Sequence, residues 1–284
     1  MRTPKVVKGL DCRRLTNLPL QRQPALILSD AAAMLLGMIP ARQALGVVND
    51  WKRDLAPVAS TGFPLLDRCT GGFELGQVWV LTSRPGHGRS SFALGLALKA
   101  ASGARWSTDF VSARDRLDVV SARLLATTAR VPLHRLRHED TSNEEASRIA
   151  AAVRELANVD LNLEGPREGA SPEPTEGHAD VTVIDDFHLT GYESLRMVRD
   201  HATRGRLFIV TVPRHLVLID GELDPGWTEI SDITVDIERP DATGAGESPR
   251  PGEADLRILH NRLGPQTTVP LAFQGQWSRF TPIH

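Results

Sequence analysis

The stretch Gln77–Ala101, QVWVLTSRPGHGRSSFALGLALKAA, decides the fold. Gln77–Leu81 reads as a buried strand, a short apolar run bounded by Gly and Pro, and Ser90–Ala101 as the helix that follows it. Between them lies Ser83-Arg84-Pro85-Gly86-His87-Gly88-Arg89-Ser90. In a strand–loop–helix setting of this kind, successive backbone N–H groups cradle phosphate oxygens and the helix dipole adds partial positive charge. The common pattern is G-x-x-x-x-G-K-[ST]. Here Ser83 takes the first position and Arg89 the lysine's. A guanidinium is longer, planar and suited to a two-oxygen fork, so Arg89 still binds phosphate but follows migrating charge less well than an ammonium. Ser90 keeps the hydroxyl that ligands Mg²⁺. Ser83 through Ser91 is the expected phosphate-binding run, for ATP with Mg²⁺.

Outward from this unit, short apolar runs alternate with helical patterns, which predicts parallel βα units. Thr108–Ser112 reads as a second strand, followed by an Arg- and Leu-rich helix to about Arg130. Ser142 with Glu145 forms a capping box ahead of Ala146, Ile149, Ala150, Val153 and Leu156 at helical spacing. Val181–Asp185, Leu207–Val212, Ile233–Ile237 and Leu256–Leu259 read as further strands, with Val269–Phe273 as an antiparallel addition. Residues 164–180 and 239–255 are Pro-, Gly- and Glu-rich and read as surface loops. Trp79 and Trp277 are expected in the core.

The 284 residues suit one large domain with a helical appendage. Residues 1–58 read as a basic tail and helical linker, and residues 59–284 as the domain. Formal net charge is -2, which excludes a wholly basic nucleic-acid coat, and 29 of the 33 basic residues are arginine, as GC-rich codon usage produces. No run of about 18 apolar residues exists, so no membrane span is expected. Two cysteines exclude a disulfide framework and fit a cytoplasmic setting. His134 and His138 stand four apart, but the arginines around them argue against a metal site.

Several further segments carry a resemblance. Ser60-Thr61-Gly62-Phe63-Pro64-Leu65-Leu66-Asp67 and Gly71-Gly72-Phe73-Glu74-Leu75-Gly76 resemble the lead into the C-terminal ATPase domain of DnaB-type replicative helicases. Arg84-Pro85 sits where that family has Arg-Pro. Asn261-Arg262-Leu263-Gly264-Pro265, then Leu271-Ala272-Phe273-Gln274-Gly275-Gln276-Trp277-Ser278-Arg279-Phe280, resembles its closing signature. The resemblance covers roughly residues 59–282. It implies an α/β, RecA-like P-loop NTPase: a twisted, mostly parallel sheet with helices on both faces.

Carried across, the resemblance makes Asp185 the Walker B aspartate that holds Mg²⁺ with Ser90. Arg262 becomes the arginine supplied in trans to a neighbour's nucleotide. The catalytic glutamate maps to Arg114, and the γ-phosphate-sensing glutamine to about Pro213. Asp186 is the substitute acid to weigh, although the residue after a strand aspartate is expected to point to the opposite face. Residues 215–232 carry Asp220, Glu222, Asp224, Glu229 and Asp232 without one Lys or Arg, which argues against tracking on single-stranded DNA. The expectation is a divergent paralogue that binds nucleotide with weak or no hydrolysis and serves a ring or a helicase-family partner as a regulatory or assembly subunit. The alternative is an active ATP-dependent replicative DNA helicase.

Overall fold

All six positions of strand Val78–Ser83 are buried. Its pleat divides it between two cores, Trp79 and Leu81 facing one and Val78 and Val80 the other. A strand apolar on both faces has to lie inside a sheet covered on both sides. The computed structural model describes residues 58–283, apart from 139–140, 167–178, 191–194 and 244–249. The expectations for the basic tail and linker therefore lie outside the described residues.

In chain order the elements are α1 (Pro64–Thr70), β1 (Val78–Ser83), α2 (Arg89–Lys99), a π-helical turn (Ala100–Ala104), β2 (Thr108–Ser112), α3 (Leu117–Ala129), α4 (Leu133–Arg137), α5 (Asn143–Leu156), β3 (Leu161–Glu164), β4 (Val181–Asp185) and α6 (Leu195–Ala202). There follow β5 (Leu207–Pro213), a small hairpin of β6 (Leu218–Ile219) and β7 (Glu222–Leu223), α7 (Pro225–Ile230), β8 (Ile233–Glu238), β9 (Glu253–Asn261), β10 (Thr268–Gln274) and β11 (Arg279–Pro282). Nine strands form one sheet in the order β11-β10-β9-β8-β1-β5-β4-β2-β3. From β3 to β8 the neighbours run parallel, and β9, β10 and β11 continue antiparallel. Phe92 and Leu96 of α2 and Val120 and Leu124 of α3 cover one face. Val198 and Ala202 of α6, with Trp227 and Ile230 of α7, cover the other. This is the expected mostly parallel sheet with helices on both faces. No helix among the described residues is long and apolar enough to cross a membrane.

Local chemistry explains the motifs. The Asp67 carboxylate accepts hydrogen bonds from Ser60 Oγ (2.6 Å), Thr61 Oγ1 (2.5 Å) and the Thr61 N–H (2.9 Å). That closes the lead-in onto α1. The capping box forms as read, Ser142 Oγ accepting from the Glu145 N–H and Glu145 Oε2 from the Ser142 N–H. At the far end Phe280 packs on Phe92, ring centroids 5.4 Å apart, and against the phosphate loop itself. A Cβ at Gly88 (φ +91°) would stand 2.9 Å from the Phe280 ring, so the closing signature and the loop glycine are fitted to each other.

Several expectations need correction. Leu161–Glu164 is an edge strand that the sequence reading did not supply, and β11 adds another after Trp277. Trp277 is only half-buried, because it sits in the exposed 3₁₀ turn Gly275–Trp277. Beyond these corrections, the acidic 215–232 segment packs on the sheet: Val217 and Trp227 are buried, and the Trp227 indole N–H donates to the Leu216 carbonyl at 2.7 Å.

Candidate nucleotide site

The site gathers at the C-terminal ends of β1, β4 and β5, where parallel strands present their connecting loops. Asp185 closes β4 and is 1% exposed. Thr211 of β5 donates its hydroxyl to Asp185 Oδ1 at 2.7 Å, and the Ser90 hydroxyl at the start of α2 lies beside the same carboxyl. Burial pushes the Asp185 carboxyl up from the usual carboxylate range. The Thr211 bond opposes that shift, the adjacent Asp186 charge adds to it, and the Ser90 hydroxyl and the Arg89 charge oppose it. The two residues expected to hold Mg²⁺ are thus brought side by side from 95 positions apart in the chain.

Asp186 departs from the expectation for its direction. It adopts a left-handed backbone (φ 57°, ψ 47°), a conformation that Asp tolerates better than most residues. That residue breaks the strand alternation and returns the carboxylate to the loop side. Its N–H donates to Thr211 Oγ1 at 2.8 Å. Arg89 Nη2 donates to its Oδ1 at 2.5 Å, with side-chain exposures of 9% for Arg89 and 0% for Asp186. Arg114 Nη2 lies 3.0 Å from Oδ2, an ionic contact without hydrogen-bond alignment. Arg89 and Arg114, which the resemblance sets at the positions of the loop lysine and the catalytic glutamate, therefore hold one carboxylate between them.

These groups open onto a cavity of about 430 Å³. Ser83, Arg84, Pro85, Gly86, Gly88, Arg89, Ser90 and Ser91 line it, as the sequence reading expected, together with Arg114, Arg123 and Pro213. Asp186 is its one acidic lining residue among the described residues. Arg89 Nε is buried with no hydrogen-bond partner among the described residues, a donor suited to a phosphate oxygen. A second cavity, about 280 Å³, shares Ser91 and Ser278 with the first and is flanked by Lys99, Arg130 and Arg279. Burial, and then the Arg130 charge beside it, press the Arg279 pKa below its ordinary value.

His87 is the member of the run that does not line the cavity. Its ring is 2% exposed, and its Nδ1 accepts the Arg239 N–H at 2.9 Å, while Arg239 Nη1 donates to the Gly86 carbonyl at 3.2 Å. Arg239 also lies over the Phe273 ring, 3.9 Å from its centroid. This brace, from the β8–β9 connection, was not legible from local spacing. It requires a neutral imidazole. Burial holds the His87 pKa below 6.5, with Arg239, Arg84 and Arg214 adding to the depression and Glu238 opposing it. The unfolded chain therefore takes up this proton first on acidification. The brace's contribution is complete above about pH 6.5 and is lost as pH falls through the lowered folded value. The melting temperature of the protein is expected to fall as pH is lowered through that window, and the drop is expected to shrink in His87→Asn. An identical pH profile in that variant would contradict the assignment.

Arg262 stands apart from this cavity, at the end of β9. Its side chain is 59% exposed and reaches Asp232 Oδ1 at 3.2 Å. Asp232 also takes both Nη groups of Arg199, at 2.5 and 3.2 Å, and the Val78 N–H at 2.9 Å. An exposed pair of this kind contributes roughly 0–1 kcal/mol, so it holds Arg262 loosely. Among the described residues no group of three or more His, Cys, Asp or Glu side chains forms a metal cluster, and His134 and His138 fall at α4 and its C-terminal cap.

Residues 59–170 match the DnaB-like helicase C terminal domain. The replicative DNA helicase DnaB of Leifsonia xyli subsp. xyli is 28% identical over 259 residues, covering 78% of this chain and 55% of that protein. Its counterpart from Buchnera aphidicola subsp. Acyrthosiphon pisum is 24% identical over 253 residues, with the same coverage of 78% and 55%. The chain thus spans about half the length of the curated relatives it matches. A solved ATPase domain superposes with a TM-score of 0.74 at 19% identity, over 86% of this chain and 99% of that one. A DnaB-like replicative helicase, studied for its interactions with primase, superposes with a TM-score of 0.73 at 18% identity, over 87% of this chain and 67% of that one. At those identities the superpositions establish the fold.

Proposed function

We propose, from the premise that this chain carries a DnaB-type C-terminal domain of RecA-like fold, that it is a nucleotide-binding member of that helicase family with weak or no hydrolysis. Its role in DNA metabolism is that of a regulatory or assembly subunit. The observation that carries this reading is the position of Asp186 between Arg89 and Arg114. Hydrolysis needs a carboxylate free to orient and polarise water. Both oxygens of the cavity's acidic residue face guanidinium groups instead, and Arg114 cannot serve as a base at neutral pH.

Binding is supported by what remains. The Gly86–Ser91 loop offers backbone N–H groups at the start of α2, and Arg84, Arg89, Arg114 and Arg123 supply cations to one cavity. Triphosphate in that cavity places the nucleoside toward the adjoining space at Ser91 and Ser278. The Ser90–Asp185 pair is suited to Mg²⁺, which when bound neutralises charge on the β- and γ-phosphates. The acidic 215–232 segment, folded back on the sheet, disfavours a phosphate backbone at that edge.

The Ser90–Asp185 pair and the exposed Arg262 also favour a second reading, an ATP-driven helicase working as a ring in which Arg262 reaches a neighbour's nucleotide. A calorimetric titration with ATP, with molecular mass followed by light scattering, separates the two. The first reading expects saturable ATP binding, competed by inorganic tripolyphosphate, without assembly of a ring. A ring forming on Mg²⁺–ATP supports the second, and no binding contradicts both.

A further inference from the structure

We infer that Asp186 is a built-in competitor for phosphate, occupying the cation of the phosphate loop until a nucleotide displaces it. This rests on the nucleotide-binding reading above and concerns what governs that same site. Arg89 is the loop's cation by position, at the first residue of α2 and on the cavity wall. Its Nη2 is already committed to Asp186 Oδ1 at 2.5 Å. Carboxylate and phosphoryl oxygens present the same acceptor geometry to a guanidinium, so they compete for one partner.

Three features make the contact a latch rather than an incidental pair. Asp186 is fully buried and Arg89 nearly so, which leaves solvent little part in screening them. The left-handed backbone at Asp186, anchored by its N–H on Thr211, aims the carboxylate at the loop and away from the face that strand alternation would give it. Arg114, 57% exposed, closes on the second oxygen from the cavity side. When phosphate enters, Arg89 and Arg114 are both released to it, and Asp186 is left beside the Thr211–Asp185 network. Opening therefore costs the protein an ion pair that the ligand replaces, and the apparent affinity is the intrinsic affinity reduced by the fraction of molecules with the latch open.

The test uses the full chain with ATP and inorganic tripolyphosphate as probes, comparing wild type with Asp186→Asn and Asp186→Gly. Both replacements suit a left-handed backbone, so both variants are expected to fold with a lowered melting temperature. Each is expected to bind ATP and tripolyphosphate about ten- to a hundredfold more tightly than wild type, the factor for a latch open in about 1–10% of molecules. Wild type that binds ATP alongside folded variants that bind no better would overturn the latch and leave the nucleotide-binding reading intact. ATP binding by none of the three would overturn that reading as well. Failure of both variants to fold would make Asp186 a structural cornerstone and likewise overturn the proposal.

Discussion

Phosphate release by the purified chain, supplied with ATP, Mg²⁺ and single-stranded DNA, is expected to stay at the background set by an Asp185→Ala control. The resemblance assigns three positions to one transition state, and this chain carries a different residue at each. Arg114 stands two residues past β2, where the family resemblance places a glutamate, and it is permanently charged. Pro213 ends β5 on the cavity wall and has no amide to contact the γ-phosphate. Arg89 is held by Asp186. A positioned general base alone contributes about 10²–10⁴-fold. Residues that serve one transition state also fail together, so their losses cannot be repaired singly. Arg89→Lys is accordingly expected to leave phosphate release at background. Recovery in that variant would place the whole defect at residue 89.

The second large effect is on stability. Asp186→Ala is expected to lower the unfolding free energy by about 3–5 kcal/mol, because removing one member of a buried pair leaves Arg89 charged and uncompensated. For a domain of this size that corresponds to a fall of roughly 6–20 °C in melting temperature. Part of it arises from alanine in a left-handed conformation, about 1–2 kcal/mol. Asp186→Gly removes the carboxylate without that penalty and isolates the ionic part. A loss below about 1 kcal/mol in both variants would show that the pair contributes no more than an exposed one.

The fold was legible where chemistry is local. The run Val78–Ser83, the Gly86–Ser90 turn and α2 stand consecutively in the chain, and the capping box needs only Ser142 and Glu145. The short edge strand Leu161–Glu164 escaped because it borders a polar loop and its alternation spans four residues. The site was legible only in part. Its loop announces itself by spacing and Asp185 by the family resemblance, whereas the contact from Arg89 to Asp186 crosses 97 positions and depends on one left-handed residue that alternation predicts wrongly. Thr211 and Arg239 reach the loop and its floor from β5 and the β8–β9 connection, and nothing near them in the chain marks either as part of the site. Arginine at the position of the loop lysine and arginine where the resemblance sets a glutamate are visible one at a time in the sequence. Their shared carboxylate is visible only when the chain is folded.

The most direct test of a phosphate site kept without its chemistry is the fate of bound nucleotide. ATP should be incubated with the protein, Mg²⁺ and single-stranded DNA, and the protein-bound fraction recovered and separated chromatographically. The account predicts a saturable bound fraction that returns as intact ATP, with no ADP beyond the Asp185→Ala control. ADP accumulating above that control, or no nucleotide retained at all, would contradict it.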